Sequence, residues 1–293
     1  MQKIKISALA IAASLSFSSF ASPIVTDIVT VVDESGSMSN EHSWLGGMIS
    51  QLDNELLKAA GTDIFDPRYG LVGYGDVYGP NGQMGHVQYM ENGELWGSAS
   101  EFDKASEDLV TSGGTEDGYE ALEFTIDNYD FRSSATKNIM LITDEDRDTN
   151  YTTAEFQDVL DKLNAHDLTL NVLVNAIYEC GDGRSASGVD AAGNGYVITS
   201  DGYDVCENAH ATYGSGSTIL DYVDLALATG GSSWGVTDFR NGGAAFASMF
   251  SSTFIDVTRE QIEENQVSVD EPGTFAIFSL AIAGFFARSF SRK

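Results

Sequence analysis

Apolar runs and helical-period stripes alternate along this chain. Residues 24–32 (IVTDIVTVV) are apolar and β-branched and give way to a small, polar run at 33–39, the pattern of a buried strand. Leu45, Met48, Ile49, Leu52, Leu56 and Leu57 then recur at helical spacing until the chain turns at Gly61. Residues 69–74 read as a second strand. After the glycine-rich stretch 75–85, residues 86–90 read as its hairpin partner. Tyr119, Leu122, Ile126 and Tyr129 mark a helix face, residues 138–143 a strand, and Phe156, Val159, Leu160 and Leu163 another helix. Strands at 168–177 and 232–239 follow, with a closing helix carried by Phe246, Met249, Phe250, Phe254 and Val257. Continuous apolar strands separated by amphipathic helices predict an α/β fold: a doubly wound, mostly parallel sheet with helices on both faces and one antiparallel edge strand. Residues 178–216 break the rhythm. They are rich in Gly, Ser and Asp, and Asn194-Gly195 and Asp201-Gly202 signal turns, so they read as a hairpin-bearing insertion.

Both ends differ from this body. Residues 1–21 carry Lys3 and Lys5, then an apolar and small-residue stretch, then Ser19-Phe20-Ala21, the three-part pattern of a secretory signal. The folded domain is expected over 22–265, with a linker at 266–272. At the other end an apolar run, 273–287, lies between Glu271-Pro272 and the basic Arg288, Arg292 and Lys293. It is short for a membrane span, which needs about 20 residues. Its layout resembles the PEP-CTERM sorting signal of Gram-negative exported proteins, although Asp270 stands where the first proline is expected. That resemblance implies cleavage by a sorting protease and delivery to the cell surface. A periplasm-facing C-terminal anchor with its basic end in the cytoplasm is the alternative. In an exported chain the two cysteines, Cys180 and Cys206, favour a disulfide pinning the insertion over two buried thiols.

Composition narrows the partners. Against 44 Asp and Glu the chain has 15 Lys and Arg, a formal net charge of −29. A body of this charge lacks the basic surface that nucleic acid or an anionic membrane requires, leaving membrane contact to the C-terminal segment, and it favours cations.

Open parallel sheets bind ligands beyond the C-terminal ends of their strands. Asp33-Glu34-Ser35-Gly36-Ser37 follows the first strand, Asp144 closes the 138–143 strand, and Ser112-Gly113-Gly114-Thr115 opens a helix between them. Taken singly, these residues read equally as helix caps and turns. Taken together, they resemble the metal-ion-dependent adhesion site of von Willebrand factor type A domains: Asp-x-Ser-x-Ser, a threonine on a glycine-rich loop, then an aspartate after a buried strand. The resemblance covers about residues 24–265. It implies that Asp33, Ser35, Ser37, Thr115 and Asp144 hold a divalent cation, Mg²⁺ foremost with Mn²⁺ or Ca²⁺ as alternatives, and that an Asp or Glu carboxylate of a partner protein completes its shell. In that family partner binding can couple to sliding of the last helix, here about 243–265.

Asp144, Asp146 and Asp148 also sit at positions 1, 3 and 5 of a possible calcium loop with Glu155 at position 12, although Thr149 occupies the turn position that requires glycine. Enzyme signatures are sparse. His42, His86, His166 and His210 form no His-Glu-x-x-His, and Ser134-x-x-Lys137 stands without a companion motif. The expected role is therefore an exported adhesion or interaction module rather than an enzyme. The alternatives are a surface or matrix component in which the ion only stabilises the fold and, more remotely, a metal-dependent hydrolase.

Overall fold

The β-branched run that opens the folded region lies inside a nine-stranded mixed sheet. The computed structural model describes residues 24–62, 64–75, 85–149 and 154–267. The signal and sorting segments read from the sequence lie outside the described residues. Strand β1 (Ile24–Asp33) leads into helix α1 (Ser39–Ala60), then β2 (Phe65–Tyr74), β3 (Gly85–Val87), α2 (Ala99–Ser106) and α3 (Gly118–Asn128). Next come β4 (Thr136–Ile142), α4 (Phe156–Ala165) and β5 (Leu168–Val174). Six short strands follow: β6 (Ala176–Glu179), β7 (Ser185–Ala186), β8 (Gly188–Asp190), β9 (Gly195–Thr199), β10 (Gly202–Cys206) and β11 (His210–Gly214). A π-helical stretch, Ile219–Val223, runs into α5 (Asp224–Ala228), and β12 (Ser232–Gly235), α6 (Val236–Asn241) and α7 (Gly243–Val267) close the fold.

The sheet order is β10-β9-β8-β12-β5-β4-β1-β2-β3. Its central strands, from β12 through β2, pair in parallel. β1 is buried on both sides, which is why its sequence is continuously apolar rather than alternating. Ile28 and Val32 join one apolar cluster with Leu45, Met48 and Leu52 of α1 and Phe250 and Phe254 of α7. Val29 and Val31 join another with Tyr119 and Leu122 of α3, Val159 of α4 and Leu225 of α5.

Several expectations change. One antiparallel edge strand was predicted, but both edges are antiparallel: β3 on one side, and β8, β9 and β10 on the other. The insertion supplies those extra strands, and it also forms most of a separate three-stranded sheet, β11-β6-β7. The predicted 168–177 strand is interrupted at Asn175, where the chain leaves the main sheet and enters the small one. The predicted 232–239 strand ends at Gly235 and becomes helical from Val236, because a short apolar run does not by itself distinguish strand from helix. Helix α2 was not anticipated, although its capping box, Ser98 with Glu101, is written in the sequence. α7 extends to Val267, two residues into the segment read as linker.

Cys180 and Cys206 form a disulfide, fastening the chain just beyond β6 to the end of β10 and so joining the two sheets. Trp234 of β12 is fully buried and stacks on Tyr196 of β9, with ring centroids 5.1 Å apart, so the insertion is packed into the main core. Among the described residues no helix is long and apolar enough to cross a membrane.

Candidate metal centre

Three chain segments meet beyond the C-terminal ends of β1 and β4. Asp33, the last residue of β1, is fully buried. Its Oδ1 accepts the Ser35 N–H at 2.7 Å and its Oδ2 accepts the Thr143 hydroxyl at 2.8 Å. Ser35 Oγ lies 3.1 Å from Ser37 Oγ, and Ser37 Oγ donates to Asp144 Oδ1 at 2.8 Å. Asp33, Ser35, Ser37 and Asp144 thus form one connected oxygen-rich group.

The glycine-rich loop reaches this group through its backbone. The Gly113 N–H donates to the Glu34 carbonyl at 2.9 Å, and the N–H groups of Gly114 and Thr115 donate to the Gly75 carbonyl at 3.1 and 3.5 Å. Gly75 needs its missing side chain: φ is +94°, and a Cβ there would lie 3.3 Å from Asp33 Oδ1 and 3.6 Å from the Thr115 carbonyl. Thr115 is held through its backbone N–H, and among the described residues no hydrogen bond joins its hydroxyl to Asp33, Ser35, Ser37 or Asp144. Thr115 is therefore beside the group without being tied into it.

The cap readings of these residues are not realised. Met38 stands at the N-cap of α1, with no side-chain capping bond. Asp117, not Thr115, caps α3 through the N–H groups of Tyr119 and Glu120. The possible calcium-loop residues are spread among other tasks. Asp146 accepts the Ser217 N–H at 3.3 Å, Asp148 accepts the Glu116 N–H at 3.2 Å, and Glu155 caps α4. Arg147 turns inward to Asp117 at 2.8 Å and stacks over Tyr119, anchoring this acidic loop to α3. No group of three or more His, Cys, Asp or Glu side chains converges as a metal cage among the described residues. The connected group is different in kind, because hydroxyls supply half of its donors.

Two features suit a small, hard cation. Octahedral coordination with metal–oxygen bonds of about 2.1 Å sets neighbouring ligand oxygens about 3.0 Å apart. The Ser35–Ser37 and Ser37–Asp144 separations, 3.1 and 2.8 Å, match that spacing. The second feature is crowded negative charge. Burial, aided by the Asp144 charge and opposed by Ser35 and Thr143, pushes the Asp33 carboxyl up to about 6. Burial, with the charges of Asp33, Asp148 and Glu145, pushes Glu116 up to about 8.

Sequence reasoning missed a cation already at the site. Arg240 of α6 donates from Nη1 to Asp144 Oδ2 at 2.6 Å, and from Nε and Nη2 to the buried Glu41 at 2.6 and 2.8 Å. Had the last parallel strand been ended at Gly235, the rule that ligands gather beyond strand ends would have pointed to the following α6. Thr143, which orients Asp33, was also passed over, as was His42, whose Nε2 lies 2.8 Å from the Asp33 carbonyl oxygen. The sequence reading of no Gly-x-Ser-x-Gly elbow is also corrected, since Gly231-Ser232-Ser233-Trp234-Gly235 has that spelling. Ser233, however, is fully buried inside β12, with its Oγ 2.6 Å from the Tyr178 hydroxyl, so it offers no exposed nucleophile.

No protein-family model matches the chain, and no curated protein matches it. Among solved structures it is similar to two structures of proximal thread matrix protein 1 from the mussel byssus, at 19% identity and a TM-score of 0.38. A third structure of that mussel protein, with a zinc-occupied MIDAS motif, matches at 18% identity and the same TM-score. The matches cover 52% of this chain and 38% of the mussel protein.

Proposed function

We propose that the chain is an exported binding module of the von Willebrand factor type A class, built on a doubly wound sheet. In this reading Asp33, Ser35, Ser37, Thr115 and Asp144 hold a divalent cation, Mg²⁺ foremost, and a partner protein binds there through an Asp or Glu carboxylate. The reading is carried by one observation: the Ser37 hydroxyl, 3.1 Å from that of Ser35, meets the Asp144 carboxylate at 2.8 Å across 107 positions beyond the end of β1. The donors are carboxylates and neutral hydroxyls, the ligand type that Mg²⁺ and Mn²⁺ prefer. When bound, the ion would supply a positive centre able to attract an external carboxylate. The protein's own part is to orient and to keep charge low. Thr143 and the Ser35 N–H fix the Asp33 carboxylate, Gly75 lets the loops close around it, and neutral hydroxyls leave the ion's charge incompletely neutralised.

A binding role fits this site better than catalysis. Its hydroxyls are held to one another and to Asp144, and the neighbouring imidazole of His42 contacts a backbone carbonyl. Isothermal titration of Mg²⁺ and Mn²⁺ into wild type and Asp33→Ala tests the site. Binding is expected in the first and lost in the second, and equal affinity in both would refute the assignment. Capture of a surface-protein partner that EDTA abolishes while circular dichroism shows the fold intact would support adhesion. EDTA that only unfolds the chain would favour a structural ion.

A further inference from the structure

We propose that Arg240 is the resident counter-cation of this site and sets its divalent affinity by competing for Asp144, a role that rests on the divalent reading above. Glu41 is fully buried in the first turn of α1, and a buried carboxylate requires a paired cation. Arg240 supplies one in two-point fashion, with Nε and Nη2 on the two Glu41 oxygens at 2.6 and 2.8 Å. That grip leaves Nη1 aimed at Asp144 Oδ2 at 2.6 Å, while Nη2 also reaches the Ser37 carbonyl at 3.2 Å. One guanidinium therefore joins α1, α6 and two residues of the donor group.

Asp144 is shared. Its Oδ1 faces the serine hydroxyls and its Oδ2 faces Arg240. A dication approaching from the hydroxyl side meets a carboxylate whose other oxygen is already paired with a fixed positive charge, and it meets that charge's repulsion. The planar fork of arginine makes the bridge possible; the single ammonium of a lysine cannot grip both oxygens of Glu41 while also holding Asp144. Arg240 lies outside the donor set, so affinity is tuned without altering a ligand.

The test titrates Mn²⁺ into the metal-free full chain by calorimetry, comparing wild type with the Glu41→Gln/Arg240→Gln double variant. Removing both members of the pair leaves no buried charge at position 41, while Asp144 loses its cation and keeps the Ser37 hydroxyl, and melting in EDTA checks the fold. The double variant is expected to bind Mn²⁺ at least tenfold more tightly. Arg240→Lys, which keeps a charge near Glu41 but loosens the hold on Asp144, is expected to tighten binding severalfold and reads the same competition if the double variant does not fold. A metal-free readout accompanies these: in EDTA, Asp144→Asn should lower the melting temperature of wild type more than that of the double variant. Unchanged or weaker Mn²⁺ binding in the variants, or an equal effect of Asp144→Asn in both backgrounds, overturns the role of Arg240. If wild type binds Mn²⁺ in an Asp33-dependent way and the double variant matches it, only the competition fails. If Asp33→Ala binds as well as wild type, the divalent site fails and the competition falls with it.

Discussion

Replacing Asp33 by asparagine separates what the site costs the fold from what it does. In the metal-free chain burial pushes the Asp33 carboxyl from its ordinary 3.8 to about 6, with the Asp144 charge adding and the Ser35 and Thr143 hydrogen bonds opposing. At about 1.4 kcal/mol per pKa unit, keeping this group ionised costs the folded chain about 3 kcal/mol. The sign follows from proton binding. Between about pH 4 and pH 6 the unfolded chain has released this proton while the folded chain retains it. Stability contributed by Asp33 therefore falls as pH rises through that window and levels off above it. Asparagine carries no charge, keeps a carbonyl oxygen for the Ser35 N–H, and leaves the Thr143 hydroxyl free to turn and accept. In EDTA at pH 7.5, Asp33→Asn is expected to be more stable than wild type by up to about 3 kcal/mol, roughly 6–12 °C in melting temperature for a chain of this size. The gap should shrink toward zero at pH 4. In Mg²⁺ at a hundred times its dissociation constant, wild type should regain about 2.7 kcal/mol and the variant nothing. Urea titrations at both pH values, with EDTA or Mg²⁺, measure all four quantities. A variant less stable than wild type in EDTA at pH 7.5, or a gap that ignores pH, would refute the reasoning.

Other expectations concern the scaffold. Asp27, buried at the far end of β1, accepts from Arg68 at 2.9 and 2.7 Å and from the Arg132 side chain at 2.8 Å. Asp27→Asn is expected to cost about 3–5 kcal/mol in a urea titration, and a loss below about 1 kcal/mol would contradict the pairing. Burial alone would raise the Asp27 carboxyl, but the two arginines hold it below its ordinary range. Its stabilisation is thus present above about pH 4 and lost as pH falls through the lowered value, opposite in sign to Asp33. Cysteines 26 positions apart close a loop worth about 3.5 kcal/mol, so Cys180→Ser/Cys206→Ser should lower the urea midpoint accordingly. Gly70→Ala would put a Cβ 2.4 Å from the Tyr129 ring, which is held by hydrogen bonds to both backbone groups of Leu71. A loss of about 1–3 kcal/mol in thermal unfolding is expected, and an unchanged melting temperature would show that the ring moves aside.

Much of the fold was legible because its signals are local. The apolar run of β1 and the heptad-like leucines of α1 each state their own structure within a few turns of chain. The insertion was recognisable as an interruption, yet its strands could not be assigned to two sheets. Short strands such as β7 and β8, with two and three residues, carry too little pattern to choose a neighbour. The strand read at 232–239 failed for the same reason: Val236 and Phe239 suit a helix as well as a strand.

The sequence by itself determined the alternation of strands and helices, the disulfide partners, and the order in which Asp33, Ser35 and Ser37 after one strand, Thr115 before a helix and Asp144 after another strand appear along the chain. Only the tertiary structure decided which charges meet. Arg240 reaches Glu41 across 199 positions and Asp144 across 96, and Thr143 finds Asp33 across 110. Periodicity is imposed on each segment by its own backbone geometry and can be read from that segment alone. A buried carboxylate takes whichever cation or hydroxyl the packed elements bring within hydrogen-bonding distance, and that choice exists only once the sheet and its helices have assembled.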